Sequence, residues 1–209
     1  MLLTTLAASL ALAAAAPSIT LNGACFVNAR PNVGAPIDVS GAGFTPGDTV
    51  LITTTGASVS GPIAAGGTFA ATLPAPTLRH AGPGSSQFTM TARDATNGSA
   101  AASVTFSVAN LAFRTIPASA APGTRVRFSF SGFKPDAPIY GHYVLRGKVA
   151  ATASFGRSEG SCGLLTTRGR LFPRLHPRFG RYKVQFDDSR SYRANAVPRI
   201  ASSLTIRHT

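Results

Sequence analysis

The side chains that most often carry out chemistry are few in this chain, and none is spaced for catalysis or metal binding. Its four histidines, His80, His142, His176 and His208, lie outside any HxH, HExxH or CxxC context. His142 falls in a predicted strand over 140–145, where a histidine whose hydrogen bonds are satisfied is structural. A general acid or base needs a positioned partner, and the sequence offers none. We predict no catalytic residue, no metal site and no cofactor, and therefore no enzyme.

One adjacent pair of carboxylates, Asp187 and Asp188, follows a predicted strand and precedes a turn. Neighbouring residues on a strand point to opposite faces of the sheet, so these two carboxylates would not converge on one substrate. A calcium site needs about six to eight oxygen ligands, which is more than the chain's scattered acids supply. We expect neither paired-carboxylate catalysis nor a calcium site here.

Two cysteines, Cys25 and Cys162, lie in different halves of the chain. In an oxidising compartment such a pair can form one disulfide, which would join the two halves; free thiols and a bond between two molecules are the alternatives. Cys162 lies in a turn-like sequence without a neighbouring base, so we interpret it as structural. Because Cys25 belongs to the opening part of the first half, we place it away from the junction. We therefore expect the two cysteines to be unbonded within one chain.

Positive charge is concentrated in the second half of the chain. The net charge is +13. Residues 17–110 contain three Arg and three Asp, whereas residues 111–209 contain 17 Lys and Arg against four Asp and Glu. The second half therefore carries the whole excess. Its densest part places six cations within sixteen residues: Arg168, Arg170, Arg174, Arg178, Arg181 and Lys183.

We interpret these six cations as an anion-binding surface. A dense cationic surface raises the local concentration of polyanions, which outside a cell include wall phosphate polymers, acidic polysaccharides, anionic lipids and nucleic acid. Aromatic residues lie between the cations, and arginine interleaved with aromatic rings is also how single-stranded nucleic acid is bound. The alternative is a solvated face whose charge only keeps the protein soluble. These aromatic residues are Phe172, His176, Phe179 and Tyr182.

The expected geometry of this surface is one continuous face. Arg168 and Arg170 share a side of one strand because side chains alternate with a period of two. The prolines at 173 and 177 turn the chain, so we expect Arg181 and Lys183 to return alongside on the neighbouring strand.

Short strands with alternating apolar residues must position these side chains. In the first half the alternation is clearest over 69–73, 88–92 and 104–108, and in the second half over 126–130, 182–186 and 204–206. A period of two over many short runs, separated by Gly, Pro, Asn and Asp, is typical of an antiparallel sandwich with one face of each sheet exposed to solvent. After the first 16 residues no segment has a sustained helical period. We predict an all-β protein.

A repeat divides the chain into two parts. Residues 34–47 align without a gap on residues 123–136, with identities at Gly34/Gly123, Gly43/Gly132, Phe44/Phe133 and Pro46/Pro135. The offset of 89 residues is close to the length of one immunoglobulin-type sandwich, about 100 residues. We predict two tandem immunoglobulin-like β-sandwich domains, 17–110 and 111–209. The strands that start near Ile37 and Val126 should occupy equivalent places.

The sequence of the first half, over about 30–110, resembles the bacterial immunoglobulin-like repeats of exported and surface proteins. The resemblance lies in Val39-Ser40-Gly41-Ala42-Gly43-Phe44-Thr45-Pro46-Gly47-Asp48 and in a late strand over 88–94. The second half is similar to basic C-terminal regions of exported actinobacterial proteins. Both resemblances imply a fold and a location, and neither implies an activity.

The first 16 residues have the composition of an export signal. They contain no charge, consist mainly of Leu, Ala, Thr and Ser, and place Ala13 and Ala15 as a small-x-small cleavage pattern. No later segment reaches the roughly 18 apolar residues that a transmembrane helix needs. We predict a signal peptide over 1–16 and an extracellular or envelope location.

These observations favour an exported, non-catalytic binding or structural module whose basic second half engages anionic surface polymers. The alternative is an accessory pair of domains that recognises a protein partner through the edge strand of a sandwich. Salt separates the two, because contacts to a polyanion weaken as salt is added and strand addition does not.

Overall fold

The computed structural model describes residues 15–30, 32–96, 98, 100–174 and 176–207. The predicted signal segment 1–16 lies outside these residues except for Ala15 and Ala16, and His208 lies outside them as well. Within the described residues the secondary structure is entirely β, and no helix could span a membrane. The strands are β1 (Ser18–Leu21), β2 (Cys25–Asn28), β3 (Pro36–Ala42), β4 (Thr49–Thr54), β5 (Ala57–Pro62), β6 (Phe69–Pro74), β7 (Ser85–Asp94), β8 (Ala101–Asn110), β9 (Ala112–Ile116), β10 (Arg125–Ser131), β11 (Pro138–Leu145), β12 (Lys148–Arg157), β13 (Leu165–Arg170), β14 (Gly180–Asp187) and β15 (Arg199–Ile206).

The alternation of apolar and polar residues in the sequence matches the alternation of buried and exposed side chains in the strands. In β10, Val126 and Phe128 are buried, whereas Arg125 and Arg127 are exposed. In β3, Ile37 and Val39 are buried in the same way. Because successive strand residues face opposite sides of a sheet, each strand contributes its apolar side to a core.

The strands form two sandwiches with the same strand order. In the first, the three-stranded sheet β1-β3-β6 faces the five-stranded sheet β2-β8-β7-β4-β5. In the second, the sheet β9-β10-β13 faces the sheet β12-β11-β14-β15. One apolar cluster fills the first sandwich, from Ile19 to Val108, and a second cluster fills the other, from Val126 to Ile206. The fold is all-β and immunoglobulin-like, as the sequence predicts.

The repeated Gly-Phe turn has the same structure in both sandwiches. Gly43 and Gly132 have φ angles of 81° and 80°, a left-handed conformation that favours glycine. The phenylalanine that follows each glycine, Phe44 or Phe133, is buried. This turn leads out of β3 in the first sandwich and out of β10 in the second, so these two strands occupy equivalent places.

One strand of the first sandwich has no counterpart in the described part of the second. β2 pairs in parallel with β8, residue Cys25 opposite Ser107 and Asn28 opposite Asn110. In the second sandwich the connection between the first two strands shortens from residues 22–35 to residues 117–124, and no strand forms there. β15, the equivalent of β8, is therefore the last strand of its sheet in the described structure.

The expectation that the two cysteines stay unbonded is wrong. Cys25 and Cys162 form a disulfide, with their Cα atoms 5.3 Å apart. Cys25 opens β2, which runs parallel to the last strand of its sandwich and is thereby directed towards the junction. The position of Cys25 near the start of the first half does not reveal this parallel pairing, which brings it to the junction.

Hydrogen bonds around the disulfide join the two sandwiches. Within the second sandwich the backbone amide of Gly132 donates to the carbonyl of Cys162 at 2.9 Å, beside the disulfide. Across the junction the hydroxyl of Ser131 donates to the carbonyl of Asn110 at 2.7 Å. The amide of Leu111 donates to the carbonyl of Asn28 at 3.0 Å. The disulfide therefore reinforces a junction that backbone contacts also stabilise.

Candidate anion-binding surfaces

The six predicted cations do not form one continuous face. Arg168 and Arg170 are exposed on β13, in the sheet β9-β10-β13, whereas Arg181 and Lys183 are exposed on β14, in the opposite sheet. The loop between these strands crosses from one sheet to the other and carries the remaining two, Arg174 and Arg178. Outward side chains of opposite sheets point away from each other, so the predicted geometry is wrong. A single face would require β13 and β14 to be neighbours in one sheet, and they lie in different sheets.

Arg168 and Arg170 instead face two arginines of β10. The antiparallel register places Arg127 opposite Arg168 and Arg125 opposite Arg170. All four side chains are exposed, and opposite residues of an antiparallel pair lie on the same face with Cβ atoms about 4.5–5.5 Å apart. We call Arg125, Arg127, Arg168 and Arg170 the arginine ladder. Arg114 extends it onto β9, on the far side of β10, where it pairs in register with Ser129.

Two acidic residues of the second half, Asp136 and Asp188, already form ion pairs with cations outside the arginine ladder. Asp136 accepts a 2.9 Å hydrogen bond from Arg157, and Asp188 forms an ion pair with Lys134. The hydrogen bond from Arg157, reinforced by its charge, lowers the pKa of Asp136. The same contact raises the pKa of Arg157. Neither of these two acids neutralises the arginine ladder, and each ladder arginine lacks a salt bridge within the described residues.

A polar cluster on the opposite sheet is buried and structural. His142 on β11 is buried, and its Nε2 atom lies 3.3 Å from an Asp187 carboxylate oxygen and 3.0 Å from the carbonyl of Ser189. Both partners are acceptors, so Nε2 carries the hydrogen. Its Nδ1 atom lies 3.1 Å from the hydroxyl of Thr152. Each ring nitrogen thus has a partner within the fold.

The segment after β14 covers this cluster. Gln185 donates to Asp187 and to the carbonyl of Arg193, both at 2.7 Å. The ring of Tyr192 lies 5.7 Å from that of His142. Residues 188–193 therefore lie over the outer face of the sheet at one end, which leaves Arg181 and Lys183 at the other end of β14. Arg181 there donates to the hydroxyl of Ser203 at 3.2 Å.

A groove at the end of the second sandwich collects further cations. It lies between the β11–β12 hairpin and the loop 171–179 and has a volume of about 640 Å³. Arg174 and Arg178 line one bank, and Arg146 and Lys148 line the other. We call this the basic groove. Two of its four cations, Arg174 and Arg178, belong to the six predicted ones, and Arg146 and Lys148 do not.

Ser158 stands in a G-x-S-x-G sequence, 156–160, which has the spacing of a nucleophile elbow. Such an elbow exposes the serine between a strand and a helix, whereas Ser158 ends a hairpin strand in a turn and is buried. Its hydroxyl donates to the carbonyl of Lys134 and accepts from the amide of Ala137 at 3.1 Å. The serine therefore stabilises a turn.

The cations that lie beside the predicted ones are not evident from the sequence alone. The period of two over 126–130 puts Arg125 and Arg127 on the exposed side of a strand, but only the pairing of β10 with β13 brings them beside Arg168 and Arg170. Arg146 and Gly147 are the two turn residues of the β11–β12 hairpin. A glycine at such a position is a hairpin signal, and it could have placed Arg146 and Lys148 at a loop tip. Among the described residues, no three His, Cys, Asp or Glu side chains come together as metal ligands.

Comparisons with known proteins give structural similarities at low identity. A search of protein-family models and of curated proteins returned no match. The tetra-tandem repeat in the extending region of a large adhesion protein matches 90% of this chain at 15% identity with a TM-score of 0.27, and the chain spans about half (47%) of that structure. The fibronectin(III)-like modules of CbhA from Clostridium thermocellum match 90% of the chain, and 94% of that structure, at 10% identity with a TM-score of 0.29.

Proposed function

We propose that this protein is an exported, non-catalytic module that binds an anionic polymer of the cell surface through its basic second half. In this proposal residues 1–16 are the export signal, and residues 17–110 and 111–209 are two domains. The first domain is a near-neutral spacer, and the second carries the binding surface. Of the six cations selected from the sequence, Arg168 and Arg170 form the central contact, and the other four add to the surrounding positive field.

The observation that carries this proposal is the arginine ladder. Like charges placed directly opposite on neighbouring strands destabilise a sheet, and here two such pairs, Arg127–Arg168 and Arg125–Arg170, follow one another. An arrangement that costs stability is explained when an anion lies between the charges. Solubility alone does not require it, because the same charges spread over other exposed positions would serve equally well.

The geometry of the ladder suits an extended polymer. Residues two apart on one strand lie about 6.5–7 Å apart, and the strands lie about 5 Å apart, so four guanidinium groups cover a short flat strip. A shallow groove of about 240 Å³ runs beside β13 and is lined by Arg168 and Arg170. Guanidinium groups bind phosphate with two parallel hydrogen bonds. A linear phosphate polymer therefore fits this face by charge and by shape.

Retention of the full chain on immobilised polyphosphate tests the proposal. We expect the parent to be retained at low salt and released as salt is added. The double variant Arg127→Ser/Arg168→Ser should elute at clearly lower salt. The control Arg190→Ser/Arg193→Ser removes the same charge from the segment after β14 and should elute close to the parent. Equal elution of the two variants would show that only net charge matters and would contradict the proposal.

Parallel measurements on anionic lipid vesicles and on double-stranded DNA identify the class of polymer. The proposed partner is a phosphate polymer without base or lipid specificity. We expect the ladder variant to lose affinity for polyphosphate and for DNA by similar factors. A loss confined to vesicles would reassign the surface to a membrane.

The second candidate function, recognition of a protein strand, is favoured by the open edge of β15. In the first sandwich β2 covers the equivalent strand, β8; in the described part of the second sandwich no strand pairs with the outer side of β15. Exposed edges accept strands from other chains. Binding of a protein partner that does not weaken with salt, and that a proline at Ser203 abolishes, would favour this function over polymer binding.

A further inference from the structure

The basic groove combines positive charge with exposed apolar surface. Four cations line its banks: Arg146 and Lys148 on the β11–β12 hairpin, and Arg174 and Arg178 on the loop 171–179. No acidic residue lines it in the described structure, and none of the four cations makes a salt bridge there. Its volume of about 640 Å³ lies within the range of small-ligand sites, about 300–1,000 Å³.

An aromatic ring is exposed within this positive field. Phe179 lines the groove and is 51% exposed, and Val149, on the opposite bank, is 44% exposed. Among the described residues Phe179 is the only aromatic side chain with such exposure of a large apolar surface. A purely ionic ligand would gain nothing from these two side chains. The groove therefore suits an anion that also carries a flat apolar group.

The loop that forms one bank of the groove is fixed at both ends by tyrosines. The hydroxyl of Tyr143 donates to the carbonyl of Leu171 at 3.2 Å, and that of Tyr182 donates to the carbonyl of Arg178 at 2.9 Å. Burial raises the pKa of Tyr143, so its hydroxyl remains a donor. The ring of Phe172 packs between the two tyrosines, 4.7 Å from Tyr143 and 4.9 Å from Tyr182. These contacts fix the backbone at both ends of the loop that carries Arg174 and Arg178.

The hairpin that forms the other bank is strained at an arginine. Arg146 and Gly147 have φ angles of 50° and 79°. A two-residue type I′ hairpin turn requires positive φ at both residues, and Asn-Gly is a preferred pair there. A non-glycine residue with positive φ costs energy, and such residues cluster at ligand sites. An arginine at this position is explained if its charge binds a ligand.

We propose that the basic groove binds a short stretch of single-stranded nucleic acid, with the phosphates on the four cations and one base stacked on Phe179. Phosphate pairing combined with base stacking on an aromatic ring is the general way in which single strands are held. A concave groove cannot meet the flat surface of a bilayer, which argues against a membrane as its partner. The site adds a preference for bases to the general polyanion binding of the arginine ladder.

Fluorescence anisotropy of the full chain with two labelled probes tests this inference. One probe is a short oligothymidylate, and the other is an abasic oligonucleotide with the same number of phosphates. The parent should bind the thymidylate at least about fivefold more tightly, since stacking on an aromatic side chain strengthens binding by roughly this factor or more for each base. Phe179→Ala should remove the difference, and Phe179→Tyr should keep it. The control Val33→Ala shortens an exposed apolar side chain of the first sandwich, outside the groove, and should keep the difference.

The outcomes separate this inference from the proposed function. The ladder variant Arg168→Ser/Arg170→Ser should weaken the binding of both probes and leave their ratio unchanged. Equal binding of the two probes by the parent would overturn the groove as a base-binding site while leaving the ladder proposal intact. A preserved ratio together with an unaffected ladder variant would support the groove and contradict the ladder. Binding of anionic vesicles that depends on Phe179 would also overturn the inference.

Discussion

The outer faces of the two three-stranded sheets have the same register and opposite chemistry. In the first sandwich the three successive pairs between β3 and β6 are Pro36–Pro74, Asp38–Thr72 and Ser40–Ala70. In the second sandwich the equivalent pairs between β10 and β13 are Arg125–Arg170, Arg127–Arg168 and Ser129–Thr166. The hydroxyl of Thr72 donates to Asp38 at 2.8 Å, whereas the equivalent pair is two arginines.

This difference teaches that the repeat preserves the inward side chains and leaves the outward ones free. Ile37 and Val39 are buried in one sandwich and Val126 and Phe128 in the other, so the core tolerates only apolar residues there. The outward positions are constrained by charge and hydrogen bonding alone. A feature that only one of the two outward faces has, such as the arginine ladder, is therefore a candidate for function.

The largest expected effect on stability comes from removing the disulfide that joins the two sandwiches. Cys25→Ser/Cys162→Ser should lower the free energy of unfolding by about 2–5 kcal/mol, because a disulfide that closes a long loop restricts the unfolded chain. Urea unfolding followed by far-ultraviolet circular dichroism measures the loss. We expect the variant to unfold in two steps, since its halves have separate cores.

Thiol titration of denatured, unreduced protein checks the bond itself. We expect no free thiol on a monomeric chain. Two free thiols per chain, or an unfolding midpoint that the double variant does not change, would contradict the joined arrangement.

The second prediction compares one glycine in each sandwich. A Cβ on Gly163 would lie 1.9 Å from the carbonyl oxygen of Phe133, and one on Gly67 would lie 2.6 Å from that of Phe44; both glycines have positive φ. Gly163→Ala and Gly67→Ala should each lower the free energy of unfolding by more than about 1 kcal/mol, with the larger loss at Gly163. The matched control is Gly56→Ala, with positive φ and open space around the Cβ. Equal effects at all three sites would show that the close approach is unimportant.

The third prediction exchanges residues between the two outer faces. Arg127→Asp converts a like-charge pair with Arg168 into an opposite-charge pair, which should raise the free energy of unfolding by a few tenths to about 1 kcal/mol at low salt. The gain should shrink as salt is added. The reciprocal variant Asp38→Arg loses the hydrogen bond to Thr72 and should be destabilised. If Arg127→Asp is less stable than the parent at low salt, the ladder arginines do not repel each other.

The smallest effect is a pH dependence at the exposed turn of the second sandwich. The folded-state pKa of Asp136 is lowered by Arg157, so its contribution to stability is present above the unfolded pKa of about 4 and is lost as pH falls through the lower folded value. Asp136→Asn should therefore be slightly less stable than the parent at pH 7, and the difference should disappear at acidic pH, once Asp136 is protonated in both the folded and the unfolded chain. Asparagine tolerates the positive φ of this position. A difference that persists at the acidic pH would point to a cause other than this charge.

The strands could be predicted from the sequence because burial imposes a period of two. Val126, Phe128 and Phe130, and likewise Tyr182, Val184 and Phe186, are buried as their alternation indicates. The Gly-Phe turn could be aligned between the halves because only glycine adopts its conformation cheaply. These are local signals, and each can be detected within a few residues.

The pairing of strands could not be predicted from the sequence. The arginine ladder depends on that pairing, so it could not be predicted either. β13 and β14 are consecutive but lie in different sheets, which separates Arg168 from Arg181. β10 and β13 lie far apart in the sequence but are neighbours, which brings Arg127 beside Arg168. The disulfide depends in the same way on the pairing of β2 with β8. Nothing in the local sequence encodes these neighbours, because they follow from how the two sheets close around a core.

The most direct test of polymer binding by the ladder is a comparison of salt dependence between two variants of equal charge. Arg168→Ser/Arg170→Ser removes two cations from the ladder, and Arg181→Ser/Lys183→Ser removes two from the opposite sheet. With double-stranded DNA as the polyanion, the slope of log K against log salt should become shallower by about one for each phosphate that the protein no longer neutralises. We predict a change of about two for the ladder variant, from the same relation, and little change for the other. Equal slopes for the two variants would contradict polymer binding by the ladder.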